Sequence, residues 1–337
     1  MSRETPACPT CKNSTHVVRN GGRTLKSVGR VQRFVCRQCA HGWSVRTGTA
    51  MDGLRTEPER IASVIHARSE GVGVRATARL CGVTPETVIR WERRIAEREA
   101  SEDPLPAGAC FVPIIEMDEL YTKVHHNRLA DLSPGWTLVA LERQTRYWVT
   151  SAVGEKKIPL FEQGVAQAWR LAGERPSTWF SDGEVSYEAA LWPLARYWHT
   201  SETPALPLRR GRRRGSGYRW REGVLVARKV KGSQGSTRQR YERAGKRHVA
   251  TQDCEDREIH AYHVEAFNSA LRRRCSAYRR RTNMYAKTED GLRRAVGVQR
   301  RVHNLCRPHP GLSKGTTPAM AAGVAFKPLT LVELLTR

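Results

Sequence analysis

The chain has 337 residues, a formal net charge of +25 at pH 7 and a pI near 10.4. It contains no apolar run long enough to cross a bilayer, and Met1–Thr10 lacks the apolar segment of a secretion signal. These features argue against a membrane or secreted protein and predict two or three folded units with a polyanionic partner, since phosphate neutralisation drives binding of basic proteins.

Two C-x-x-C pairs open the chain. Each pair presents two thiolates, and together they supply the four soft ligands that tetrahedral Zn²⁺ prefers. The segment between the pairs alternates and turns as a β-hairpin would. A pair of redox dithiols is the alternative, although the βαβ context of that motif is missing. The predicted zinc ligands are Cys8, Cys11, Cys36 and Cys39.

Residues 56–98 have the pattern of helices. Thr56 begins a T-E-P-E segment typical of a capping box, and Thr84-Pro85 can start a later helix. Glycine at position 82 lies where a helix-turn-helix places its turn. With an apolar side of Val88, Trp91 and Ile95, the later helix would turn outward Arg90, Arg93 and Arg94. We expect these arginines to contact DNA; a plain helical hairpin is the alternative.

After a linker the pattern changes to strands. Three apolar strands are expected at 111–122, 136–141 and 146–153, followed by a helix at 159–171 and a strand at 177–182. A further helix is expected at 187–194. This order predicts a mixed α/β sheet with flanking helices.

Two aspartates fall at the sheet positions where carboxylates are costly unless they are paired or bind metal. Asp118 lies inside the first strand, and Asp182 ends the fourth. With an acid on a later helix, this arrangement fits an RNase H-like core, in which three carboxylates hold two divalent ions. Glu116 shares the face of Asp118 and is an alternative choice, whereas Glu119 should point to the other face.

The acid on the later helix is Glu265. Val264, Phe267, Leu271, Cys275 and Tyr278 form one apolar stripe at helical spacing. A second face carries Glu265, Asn268 and Arg272, and we expect Arg272 to contact DNA. An ion pair on a solvated helix is the alternative reading of this glutamate.

A basic, glycine-rich stretch covers 208–247. Residues 205–247 carry 15 basic and 2 acidic side chains, and only 224–230 looks like a strand. We expect the stretch to contact DNA phosphates, or else to be a disordered solubilising loop. The predicted phosphate contacts are Arg209, Arg210, Arg212, Arg213 and Arg214.

The chain resembles transposases of the insertion-sequence-one family, which have an Asp-Asp-Glu catalytic core. The likeness covers nearly the whole chain and is carried by M-D-E-L, F-S-D-G-E-V-S-Y, H-V-E-A-F-N-S-A-L-R-R-R, R-R-R-T and V-H-N-L-C-R-P-H, in that order. The chain departs from the family at Ala266, where relatives often carry arginine, and at Tyr285-Ala286-Lys287, which replaces F-S-K.

The resemblance implies a Mg²⁺- or Mn²⁺-dependent enzyme with Asp118, Asp182 and Glu265 as metal ligands. It would cleave double-stranded DNA at the element ends and join the 3′-hydroxyl ends to target DNA. We expect it to assemble as a homo-oligomer on DNA, without a membrane partner, in the cytoplasm and associated with the nucleoid. A DNA-binding regulator that has lost catalysis is the main alternative, and a simple nuclease is another.

These readings divide the chain into four parts. A zinc ribbon is expected at 1–50 and a helix-turn-helix domain at 51–104. An RNase H-like catalytic domain would cover 108–309, with the basic insertion at about 205–250, and a C-terminal tail would cover 310–337.

Overall fold

The chain forms two compact units, Met1–Ser101 with Leu329–Arg337, and Glu102–Pro328. The computed structural model describes residues 6–25, 29–99, 113–126, 128–200, 217–230, 245–248, 254–279 and 282–337. In these ranges, no helix combines the length and the apolar character needed to span a membrane.

The first unit contains a three-stranded antiparallel sheet and four helices among its described residues. The sheet has the order β1-β2-β3, and Phe34 and Trp43 fill its small core beside the cysteines. Its elements are β1 (Val17–Leu25), β2 (Gly29–Cys36), β3 (Gly42–Ser44), α1 (Pro58–Ser69), α2 (Val74–Leu80), α3 (Pro85–Glu99) and α9 (Leu331–Thr336).

The predicted apolar side of α3 is confirmed, because Val88, Trp91 and Ile95 are buried. Thr84 caps this helix as predicted, accepting a hydrogen bond from the backbone N–H of Thr87 at 3.3 Å. The capping box expected at the start of α1 is wrong. Glu57 is the N-cap residue there and makes no side-chain cap, and Pro58 alone sets the first turn.

A buried ion pair joins α1 to α3. Arg68 Nε lies 2.5 Å from Glu92 Oε1, and both side chains are almost fully buried. Removing one partner of such a pair leaves an uncompensated charge and costs about 3–5 kcal/mol. The pair therefore fixes the angle at which α3 leaves the helical core.

The helix at the C-terminal end of the sequence folds with the first unit. α9 packs against α1 and buries Leu334 and Leu335. Thr330 and Glu333 form a capping box at its start. The segment predicted as a tail thus divides, with Leu329–Arg337 in the first unit and the residues before it in the second.

The second unit is built on a mixed six-stranded sheet of order β11-β10-β7-β4-β5-β6. β4, β5 and β6 are antiparallel neighbours, whereas β7 runs parallel to β4 and β10 runs parallel to β7. Its elements are β4 (Ile114–Tyr121), β5 (Trp136–Glu142), β6 (Trp148–Gly154), α4 (Ile158–Leu171), β7 (Thr178–Asp182), α5 (Ser186–Leu191), β8 (Arg196–His199), β9 (Gly217–Trp220), β10 (Leu225–Val230), β11 (Gly245–His248), α6 (Tyr262–Arg274), α7 (Glu289–Arg301) and α8 (Pro318–Ala321).

Helices cover both faces of this sheet, as strand alternation requires. Ile115 and Met117 point into the core formed with α4 and α5. Leu120 and Val139 point into the core formed with α6 and α7. The predicted mixed α/β architecture is therefore confirmed.

The apolar stripe predicted for α6 is buried along its whole length, but the helix is shorter than expected. α6 ends at Arg274, and Cys275 adopts extended backbone angles before a 3₁₀ turn at Ser276–Tyr278. Tyr278 is fixed in place by a hydrogen bond between its hydroxyl and that of Thr137, at 2.5 Å. Packing on the sheet, and not helical periodicity, buries the last two residues of the stripe.

Part of the basic stretch belongs to the main sheet of the second unit. β10 lies inside the main sheet beside β7, so the strand predicted at 224–230 is confirmed. Arg228 on β10 is buried and pairs with Glu188 at 3.1 Å. Part of the positive charge of this stretch thus serves the fold. Arg209, Arg210, Arg212, Arg213 and Arg214 lie outside the described residues.

Candidate metal centres

Three carboxylates lie together at the end of the parallel pairing between β4 and β7. Asp118, Glu119 and Asp182 each offer one oxygen atom, and the three atoms lie within 4.8 Å of one another. The two strands pair in parallel as far as Met117 and Ser181. Because each aspartate directly follows its last paired residue, both arrive at the same edge of the pairing. Local strand pairing therefore creates the cluster.

Burial and mutual repulsion make this carboxylate cluster costly without a cation. Burial raises the pKa of Asp118, and the charges of Asp182 and Glu265 raise it further. Burial also raises the pKa of Glu119 to about 7, against the opposing effect of Lys156. A bound divalent cation would offset both penalties.

The available oxygen atoms suit a hard divalent cation. Glu119 Oε1 and Asn268 Oδ1 are buried and have no hydrogen-bond partner within the described parts of the chain. Buried polar atoms without partners are uncommon and call for a ligand, ion or water. Mg²⁺ and Mn²⁺ prefer carboxylate and carbonyl oxygens, so these residues fit such an ion.

α6 contributes an amide to the cluster and places a fourth carboxylate near it. Asn268 Nδ2 donates to Asp118 Oδ2 at 2.8 Å, which orients that carboxylate. Glu265 lies one turn earlier and is exposed at the helix surface. Its charge acts on Asp118, yet it is not among the three residues whose oxygens fall within 4.8 Å. The structure thus brings Asp118 and Asp182 together, adds Glu119, and leaves Glu265 beside the cluster.

Glu116, the alternative choice for a catalytic acid, holds the start of α6 instead. Its Oε2 accepts the backbone N–H groups of His263 and Val264 at 2.9 and 3.0 Å. Its Oε1 pairs with Arg143 at 2.6 Å, and Arg143 also donates to the carbonyl of His260. The carboxylate therefore caps the first turn of α6 from the neighbouring strand and sets the register of Asn268 against Asp118.

One lysine lies beside the cluster. Lys156 Nζ is 3.5 Å from Glu119 Oε2 and 3.3 Å from Glu184 Oε2. Burial lowers the pKa of Lys156, but the surrounding carboxylates outweigh this effect and raise it. This ammonium group compensates part of the negative charge and holds Glu119 at the edge of the cluster.

The four cysteines of the first unit also form a cluster. Cys8 Sγ lies 3.5 Å from Cys39 Sγ, and Cys11 Sγ lies 3.6 Å from Cys36 Sγ. All four sulfurs are within 4.8 Å of one another, and the thiols are not paired in disulfides. The predicted four-cysteine cluster is confirmed, and its donor set can bind zinc.

The two cysteine turns have the same backbone design. In each, the residue after the second cysteine has a left-handed conformation, Lys12 at φ 59° and Ala40 at φ 56°. The first cysteine of each pair donates its N–H five residues onward, at 3.0 and 2.9 Å. Burial raises the pKa of Cys8, but the N–H groups of Cys11 and Thr10 lower it to about 6. The first cysteine of each turn thus favours thiolate, since the pKa of Cys36 is lowered as well, whereas burial and the neighbouring sulfur atoms raise the pKa of Cys11 and Cys39.

The three arginines predicted to face outward on α3 differ in their surroundings. Arg90 and Arg93 are exposed. Arg94 is half-buried, and its guanidinium donates to the carbonyl of Asp52. The expectation that all three point away from the core therefore needs correction, because Arg94 also ties α3 to the segment before α1.

Arg272, predicted as a DNA contact, lines an open groove of about 610 Å³. Lys123 and Tyr285 are on the same wall, and the Lys123 ammonium lies 4.7 Å from the Tyr285 ring centroid. Aromatic and cationic groups side by side can contact bases and phosphates of a nucleic acid strand.

Strand alternation predicts that Glu119 points away from Asp118, and it does lie on the α5 side with Tyr187. Burial raises the pKa of Tyr187, and the charge of Glu119 raises it further. Pairing of β4 with β7 stops at Met117, before Glu119, and a carboxylate oxygen of Glu119 lies within the cluster. Asp118 and Glu119 are adjacent in the sequence, and this pair of consecutive acids in the first strand is the sequence feature that could have indicated that Glu119 belongs to the cluster.

No protein-family model matches the chain.

Proposed function

We propose that the chain is a DNA transposase of the Asp-Asp-Glu type that cleaves the ends of an insertion element and joins them to target DNA. The observation that carries this proposal is the carboxylate cluster at the parallel ends of β4 and β7, with α6 supplying Asn268 and Glu265. Further support comes from the strand order β6-β5-β4-β7-β10, in which the two aspartates take the positions expected of an RNase H-like core.

Asp118, Glu119 and Asp182 would hold the Mg²⁺ or Mn²⁺, and Glu265 would complete the site from α6. When bound, the cation would polarise the scissile phosphate and stabilise developing charge. Asn268 keeps one Asp118 oxygen fixed, and Glu116 keeps the helix that carries both Asn268 and Glu265 in register. Lys156 limits the charge that the cluster presents to an approaching phosphate.

The first unit would bind DNA. The cysteine cluster would hold a structural Zn²⁺ in a closed shell, and α3 would present Arg90 and Arg93 to the duplex. The basic stretch would contact phosphates without reading sequence, because flexible cationic side chains meet the backbone before base edges. We propose that several copies assemble on the element ends.

The test is strand transfer with the full chain, a labelled duplex carrying the ends of the element, a target plasmid and Mg²⁺. The proposal expects cleaved ends and joined products that disappear when Mg²⁺ is chelated. Cleavage without joining would indicate a nuclease. Specific end binding without either reaction would indicate a regulator.

The regulator is the second candidate because one observation favours it. Glu265 is exposed and outside the group of three oxygens, so the expected third acid of the site is not drawn in by the protein alone. Mg²⁺ titration followed by tryptophan fluorescence separates the two candidates. An enzyme should give saturable Mg²⁺ binding that depends on Asp118, and a regulator should give none.

A further inference from the structure

A second candidate site lies on a different side of α6 from the carboxylate cluster. A cavity of about 260 Å³ opens between this helix, the β5–β6 turn and the segment after α7. The lining contains seven arginine and histidine residues and no aspartate or glutamate. They are Arg146, His263, Arg273, Arg274, His303, Arg307 and His309.

The cations of this basic pocket disfavour one another's charge. Burial lowers the pKa of His309, and the charges of Arg146 and Arg274 lower it further. Cationic groups that converge in one cavity without a lining carboxylate create a field that an anion would neutralise.

Arg146 is the pocket residue whose donors are most clearly available to a ligand. Its backbone is left-handed at φ 60°, which turns it out of the β5–β6 connection. Within the described ranges, its guanidinium makes no hydrogen bond or ion pair. Glu142 and Glu116 act on it at longer range, but Glu142 is held by Thr145 and Glu116 by Arg143 and α6. Its five donors are thus available to a ligand.

Two histidines of the pocket, His303 and His309, are held by hydrogen bonds within the protein. His303 is buried, its Nε2–H donates to the Arg146 carbonyl at 2.9 Å, and burial lowers its pKa to about 3. The His303 ring packs on Phe267 with ring centroids 4.8 Å apart. The N–H of Gly311 donates to His309 Nδ1 at 3.1 Å, which leaves the other ring nitrogen of His309 as a donor. Contacts within the protein therefore hold both histidine rings in position without a ligand.

We propose that this basic pocket binds a phosphate group. Guanidinium and imidazole donors match phosphate oxygens. The apolar residues Leu141, Ala266, Phe267 and Ala270 also line the cavity and can contact the carbon atoms of a phosphate ester. Free inorganic phosphate, an internal DNA phosphate and a 5′-terminal phosphate share this chemistry. That the phosphate belongs to DNA rests on the proposed function, whereas binding of the phosphate group does not.

The test titrates the full chain with inorganic phosphate, followed by ³¹P NMR line broadening. Arg146→Gln should weaken binding about tenfold or more, because it removes hydrogen bonds from a charged donor to the phosphate. Arg170→Gln is the matched control, because Arg170 is exposed on α4 and outside the pocket. The control should bind phosphate as the wild type does.

A second arm identifies the source of the phosphate. Duplexes with 5′-phosphate and 5′-hydroxyl ends are compared with wild type and Arg146→Gln. Tighter binding of the 5′-phosphate duplex by wild type alone assigns a terminal phosphate. An equal loss for both duplexes in the variant assigns an internal phosphate.

Two results would overturn the phosphate pocket. One is no phosphate binding by wild type; the other is equal weakening by Arg146→Gln and Arg170→Gln. Asp118→Asn should retain phosphate binding, so the pocket and the carboxylate cluster can fail separately. Phosphate binding by a chain without affinity for DNA would refute the transposase and leave the pocket standing.

Discussion

The two units each gather metal-binding side chains, but they do so by opposite means. In the first unit, two tight turns bring four sulfur atoms together from 32 residues of sequence, Cys8 to Cys39. In the second, Asp118, Glu119 and Asp182 come together because β4 and β7 pair in parallel, and α6 packs beside them and contacts Asp118 through Asn268. The cysteine site can form locally, whereas the carboxylate site depends on the whole fold of its unit.

The two clusters offer different donor atoms, sulfur in the first unit and oxygen in the second, and these suit different roles. Four sulfurs leave no open position on a tetrahedral ion, so a zinc ion held by the cysteine cluster would be expected to stabilise structure. In the carboxylate cluster, Glu119 Oε1 is buried and has no hydrogen-bond partner among the described residues, so it could contact a further ligand. We therefore expect changes at the first cluster to act on folding and DNA binding together, and changes at the second to act on metal binding and strand transfer while DNA binding is retained.

The largest expected effect is at the cysteine cluster. Cys36→Ser removes a thiolate, and structural zinc sites contribute about 10–16 kcal/mol in small domains. We expect one zinc per chain in the wild type and none in the variant, with loss of DNA binding. Metal analysis by mass spectrometry and a mobility-shift assay measure the two. Cys81→Ser, outside the cluster, is the control; a fully zinc-loaded Cys36→Ser protein would refute the prediction.

Asp118→Asn should lower strand transfer by about 10³-fold or more while end binding stays within twofold. The change keeps the hydrogen-bonding shape but removes the charge at the centre of the cluster. Asp182→Asn should behave in the same way. Glu162→Gln, an exposed carboxylate on α4, serves as the matched control. Normal joining by Asp118→Asn would remove this residue from the site.

The variant Glu119→Gln tests whether Glu119 is a ligand of the metal ion. Mg²⁺ at about 100 times its Kd should stabilise the wild type by about 2.7 kcal/mol. The variant loses a buried carboxylate from the cluster, so it should be more stable without Mg²⁺ and gain less from adding it. Thermal unfolding with and without Mg²⁺ measures both effects. A stabilisation by Mg²⁺ equal to that of wild type would show that Glu119 does not hold the ion.

Arg90→Ala should cost about 1–3 kcal/mol of binding to element ends if its side chain reads base edges. Arg94→Ala should instead lower the thermal stability, because Arg94 donates to the Asp52 carbonyl. Competition binding with specific and random DNA separates the two effects. Equal weakening on both DNAs by Arg90→Ala would assign it to a phosphate.

The smallest expected effect concerns the basic stretch. Replacing Arg209, Arg210, Arg212, Arg213 and Arg214 by glutamine should weaken binding to all duplexes alike. The slope of log affinity against log salt should flatten by roughly 0.9 for each lost phosphate contact. An unchanged slope would mean that this segment does not touch DNA and acts as a solubilising loop.

Much of the architecture could be predicted because apolar periodicity determines it. The strands around Asp118 and Asp182 and the buried side of α3 follow directly from their patterns. Periodicity does not report where a strand stops being paired, and that end decides whether Glu119 joins the cluster. It also cannot distinguish a catalytic acid from a helix cap, which is what Glu116 is.

The other departures have the same origin in tertiary packing. The stripe through Cys275 and Tyr278 suggested a longer α6, but the sheet buries both residues without helical backbone. The exposure of Arg94 depended on Asp52, which lies 42 residues earlier. Composition marked the basic stretch as an insertion, although its apolar strand β10 belongs to the sheet.

The pairing of α9 with α1 has a consequence for the order of synthesis. A ribosome adds roughly 5–20 residues per second, so Leu331–Thr336 emerge some tens of seconds after α1. During that interval the second unit is translated in full, and α1 lacks the helix that packs on it in the finished protein. Interrupted translation products would therefore carry a first unit in which the surface of α1 that α9 covers is left open.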